Sequence, residues 1–126
     1  MRSLSIILAA LASVPAIAQS TTAQTDTGPA PQLSLEQQTS LRCSAAFAIV
    51  ASEQAAGKAE ALSLPPLAER GREFFVRFSA RLMDETGMTR EQVAGLIAAQ
   101  ASTLRDDEAV AQVMPACLLL LDASGL

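Results

Sequence analysis

Cys43 and Cys117 are the two side chains here best suited to covalent chemistry, and no histidine accompanies them. Without imidazole there is no Ser-His-Asp triad, Cys-His pair, imidazole metal ligand or histidine pH switch to look for. Two thiols also fall short of the four Cys or His ligands of a structural zinc site. The pair lies far apart in the chain rather than as C-x-x-C, and a redox or thiolate role lacks its usual setting. Phosphate-cradling, dinucleotide-binding, G-x-S-x-G and EF-hand loops are missing from the sequence. The reading is therefore of a protein that is not an enzyme, with no catalytic, cofactor-binding or metal-ligating residues and no cofactor.

Two acidic clusters and one basic stripe remain. Asp84 and Glu85 are adjacent, as are Asp106, Asp107 and Glu108, and paired acids can act as acid and base or hold a hard cation. Sequence neighbours diverge around a helix, however, and both clusters fall where helices are expected to end or begin. Capping is the expected role, with Asp106 or Asp107 starting the last helix. Arg70, Arg77 and Arg81 are spaced i, i+7, i+11, one stripe along a helix. Their stems can cover an apolar edge while the guanidinium groups stay wet, or they can receive an acidic partner, a lipid headgroup or a carboxylate ligand. These are the candidate partner-binding residues. Glu73 and Asp84 are placed to pair with Arg77 and Arg81 on the same helix.

The compartment decides how the cysteines are read. "MRSLSIILAALASVPAIAQS" has a positive start at Arg2, an apolar stretch from Leu4 to Val14, and Ala16-Ile17-Ala18 as an A-x-A cleavage signal. Eleven apolar residues rise only about 16 Å as a helix, whereas a bilayer takes about 20 residues. Residues 1–18 are thus expected to be a signal peptide cut after Ala18, leaving a periplasmic or secreted protein with no stable membrane insertion. The remaining 108 residues make one small domain and carry about −5. No basic footprint for nucleic acid survives that balance. Residues 19–33, rich in Ser, Thr, Gln and Pro, cannot bury enough surface to offset their ordering entropy, and read as a flexible leader.

From Ser34 to the end, residues 34–126, the pattern is helical, and four helices are expected. Ser34 and Gln37 form a capping box. The run "LRCSAAFAIVAS" is apolar nearly all round, the mark of a helix that others surround, with Cys43, Phe47 and Val50 on one face. Gly57 is its expected stop, although "KAEAL" can carry it one turn further. Pro65 and Pro66 are expected to open the second helix. Along it Leu67, Gly71, Phe74, Phe75, Phe78 and Leu82 share an arc of roughly 100°. Gly87 ends that helix, and Thr89, Gln92 and Met88 supply the cap, the box and a hydrophobic staple for the third. Val93, Leu96, Ile97, Ala101 and Leu104 make its inner stripe. In the last helix Val110, Val113, Met114, Cys117, Leu120 and Leu121 share a side. Pro115 either bends that helix or separates two shorter pieces.

Cys43 and Cys117 thus face the core from the first and last helices. In an oxidising compartment two such thiols are expected to join. The closed loop of 75 residues would contribute roughly 4 kcal/mol by chain entropy, with strain subtracting from it. That is comparable to the whole stability of a small domain, about 5 to 10 kcal/mol.

The segments "SLRCSAAFAIV", "PPLAERGREFF", "LMDETGMTREQV" and "VMPACL", behind an export signal, resemble small exported two-cysteine helical proteins of Gram-negative bacteria. The resemblance spans the mature domain and brings neither an activity nor binding residues with it. The architecture is also loosely similar to small periplasmic acid-stress chaperones, which are helical and carry one disulfide. The expected fold is all-α, a small four-helix bundle with one disulfide. The expected function is a non-catalytic interaction or structural module that binds another envelope protein through a helix face. The alternatives are a stress-responsive holdase, or a carrier with a small apolar ligand between its helices.

Overall fold

The structure, a computed structural model, describes residues 31–126. The signal peptide, its cleavage after Ala18 and all but the last three residues of the leader therefore lie outside the described residues. Of those three, Leu33 is partly buried against the core, and its carbonyl accepts from Gln38 Nε2 at 2.8 Å, so the packed domain takes in one residue assigned to the leader.

The described residues form an all-α fold. In chain order the helices are α1 (Leu35–Ala55), α2 (Ala59–Leu62), α3 (Arg70–Thr86), α4 (Arg90–Asp106) and α5 (Val110–Ala123). Four long helices make the bundle, and the one-turn α2 sits in the connection between α1 and α3. α1 is the central element and touches all the others. Its sequence explains this position. Leu41, Phe47, Ile49 and Val50 are buried on different sides, and Ser44, Ala45 and Ala46 are small enough for neighbouring helices to approach closely.

Local signals set several boundaries. Ser34 accepts from Gln37 N–H at 3.1 Å while its own N–H donates to Gln37 Oε1 at 2.9 Å, the expected capping box. Gly57, at φ 75°, turns the chain as Lys58 N–H closes onto the Glu53 carbonyl at 3.0 Å. The α3–α4 corner matches its signals too. Gly87 stands at φ 72° and donates to the Met83 carbonyl, Thr89 and Gln92 form a reciprocal box, and Met88 is buried.

Two boundaries differ from expectation. α3 begins at Arg70, not at Pro65 or Pro66. The cause is Gln54, whose Nε2 donates to the Ala61, Leu64 and Pro65 carbonyls while its Oε1 accepts from Leu67 N–H. One amide side chain thereby ties down the non-helical proline segment, with the Leu67 side chain fully buried beyond it. Neither Asp106 nor Asp107 caps the last helix. α4 runs through Asp106, Asp107 ends it, and Ala109 precedes α5 without a side-chain cap. The turn is made instead by Glu108 at φ 50°, with Ala109 N–H bonded to the Leu104 carbonyl at 2.9 Å. Glu108 thus occupies the left-handed position that Gly57 occupies after α1.

α5 continues through Pro115. The carbonyl it leaves without a donor is that of Ala111, four residues back, and both residues are exposed, so water can satisfy it. On the opposite side Met114, Cys117 and Leu121 are buried. Cys43 and Cys117 are joined, with Cα atoms 5.2 Å apart, linking α1 to α5, and both are at least 98 % buried. Among the described residues no helix is long and apolar enough to cross a membrane.

Candidate interaction site

α3 has two edges, because its buried face is narrow. Phe74, Phe78, Leu82 and Gly71 point inward. Phe74 meets Phe47 edge-on, with ring centroids 5.4 Å apart, a favoured aromatic arrangement. Gly71 is where α1 comes nearest, for a Cβ there would stand 3.0 Å from Phe47 Cβ. Phe75 departs from the expected core face and is only partly buried.

The first edge carries the candidate arginines. Arg70 Nε and Nη2 donate to the Leu126 backbone oxygen at 2.9 and 2.5 Å, and Nη2 also reaches Asp122 Oδ1 at 2.6 Å. Arg77 Nε donates to Glu73 Oε1 at 2.8 Å, as the i, i+4 spacing predicts. Arg81 pairs with Glu85 at 2.6 Å rather than with Asp84, and lies 3.3 Å from Glu36 of α1. The hydrogen bond from Arg81, then one from Gln37 at 2.8 Å, holds the Glu85 carboxyl below its ordinary range. The hydrogen bond to Glu85, followed by the charges of Glu85 and Glu36, pushes the Arg81 guanidinium up. Beside these residues runs a groove of about 350 Å³ over Phe74, Phe78, Leu120 and Leu126, rimmed by Arg77, Arg81 and Glu36. The three arginines therefore share an edge, but each already holds a carboxylate or a carbonyl.

The second edge is open. Between α3 and α4 lies a groove of about 370 Å³ lined by Phe75, Val76, Ala80, Met83 and Ala94, with Arg90 at its rim. Toward the start of α3 lies a hollow of about 230 Å³ against α1, lined by Ala48, Ala51, Ala68 and Arg72. Phe75 belongs to both. Val76 is 54 % exposed. The hydroxyls of Ser44 and Ser79, one in each wall, are buried without a hydrogen-bond partner among the described residues. Sequence reasoning assigned Phe75 to the core and passed over Arg72, Val76 and Arg90. A signal was present, since Arg72, Phe75, Val76, Ser79 and Met83 occupy a second arc of about 100° beside the phenylalanine face.

No protein-family model, curated protein or solved structure matches this chain.

Proposed function

We propose that this is an exported, non-catalytic helical module that binds another protein of the cell envelope through the outer edge of α3. The observation that carries this reading is the groove over Phe75, Val76 and Met83, apolar surface whose bordering Arg90 is in no ion pair among the described residues, whereas the arginines that rim the groove of the opposite edge already hold acids. Export is supported by the leader pattern in residues 1–18, by the resemblance to small exported two-cysteine helical proteins, and by a disulfide, a bond that persists in oxidising compartments.

The module binds without chemical change to its partner, and its rigidity comes from the covalent tie between α1 and α5. Cross-linking in intact cells, through a photoreactive residue at Ala80, is the test. A discrete protein captured there but not from a residue placed at Ser102, on the exposed side of α4, supports the reading. The same bystanders recovered from both positions count against it. Fractionation with N-terminal sequencing tests the location: a mature chain beginning at Gln19 outside the cytoplasm is expected, and uncut protein in the cytoplasm overturns export.

A further inference from the structure

We infer that the open edge of α3 receives one amphipathic helix of the partner, apolar where it enters and bearing carboxylates about three turns apart for Arg72 and Arg90. This rests on the interaction reading above and adds the chemistry of what binds.

The dimensions fit one helix. Phe75 lines both hollows, which together flank α3 from Gly71 to Met83, about 18 Å at 1.5 Å per residue. That is the length of about three helical turns. Ala48, Ala51, Ala80 and Ala94 line the walls, and such small side chains let a second helix seat its ridge between α3 and its neighbours. Val76 and Met83 supply the apolar contacts.

Charge selects the sign of the occupant. Arg72 and Arg90 are the charged residues lining these hollows, no carboxylate lines either, and neither arginine is in an ion pair among the described residues. On the other edge every lining arginine has its acid. Arg72 stands eleven residues before Met83, which lines one groove with Arg90, and eleven helical residues rise about 16 Å, the span assigned to the docked helix's carboxylates. Carboxylates at i and i+11 of a docked helix match that span, and each can take a guanidinium in a forked pair. A second copy of this chain fits poorly, because a two-fold contact through this edge sets arginine against arginine. An anionic membrane surface also fits poorly, since a flat surface would meet exposed Glu73 and Asp84 on the same helix.

The test uses the purified chain and a labelled synthetic 18-residue amphipathic peptide, Leu and Ala on one face, with Glu at positions i and i+11. A control peptide carries Lys at both. Fluorescence anisotropy should show the Glu peptide binding at least fivefold tighter than the Lys peptide. Arg72→Glu and Arg90→Glu should each weaken the Glu peptide by about fivefold and strengthen the Lys peptide. Ala94→Trp, which fills the groove from an exposed position, should cut binding at least tenfold while leaving helicity and the melting midpoint unchanged. Equal affinity for the two peptides, or indifference to Ala94→Trp, overturns the inference. So does a dimer, or binding to phosphatidylglycerol vesicles, that the same variants abolish. If these fail while cross-linking still captures a partner, the interaction reading stands and the helix reading falls; if capture from the edge also fails, both fall.

Discussion

The two edges of α3 differ in whether the protein has already used them. On one, Arg70, Arg77 and Arg81 reach acids or a carbonyl on α1, α3 or at the end of the chain, so the charges are spent holding elements together. On the other, Phe75, Val76 and Met83 stand open, and the nearby arginines have no ion-pair partner among the described residues. This row of like charges is thus already engaged within the fold. What marks a binding surface is charge or apolar area that the fold leaves unanswered.

The sharpest way to break this contrast is to truncate neighbouring rings. Phe74→Ala should cost about 3 to 5 kcal/mol, because the ring is buried and packs edge-on against Phe47. Phe75→Ala should cost only about 1 to 2 kcal/mol, in keeping with partial burial. Equal losses in urea unfolding would mean that the second edge is as closed as the first. The double change Cys43→Ala with Cys117→Ala should lower stability by up to about 4 kcal/mol. It should lower the Phe74 and Phe75 variants alike, since both edges hang on the same frame. A third comparison sets Arg70→Gln, expected to lose about 1 kcal/mol of partly exposed pairing, against Arg72→Gln, expected to change stability by less than about 0.5. Removing the orphan hydroxyl with Ser79→Ala should be neutral or stabilising by up to about 1 kcal/mol; a clear loss would reveal a bond made by Ser79.

The smallest effect is one of pH. The Glu85 carboxyl titrates lower when folded than unfolded, so its contribution is full above the unfolded value and fades as pH falls through the folded one. Below about pH 4 the wild type should lose a little stability that Glu85→Gln does not lose. High salt should shrink the difference, because the pair is exposed. Identical pH profiles for the two proteins would remove Arg81 and Glu85 from the account of the closed edge.

What was legible in the sequence depended on how far its cause lay along the chain. Ser34 with Gln37, and Thr89 with Gln92, are boxes completed within three residues, and both stand as read. The disulfide was legible because Cys43 and Cys117 each sit on the apolar side of their own helix. The start of α3 was not, since it is set by Gln54, thirteen residues before the Leu67 N–H it holds. Nor was the α4–α5 turn, where a glutamate adopts a backbone that usually announces itself as glycine. Arg81 was matched to the wrong acid because two were in reach on its own helix and a third, Glu36, arrives from another. The open edge was hidden for a related reason: its arc on α3 is plain, but which arc stays uncovered depends on where α1 and α4 lie.

Cys43 and Cys117 are at most 2 % exposed, although both line a groove of about 420 Å³ beside Arg42, Gln100 and Gln112, so attack on their sulfurs in the folded molecule is hindered. Opening of the bundle therefore speeds cleavage, and once cut, the chain closes again with less to hold it. The protein's lifetime in reductant should thus depend on how readily the bundle opens as well as on how much reductant is present.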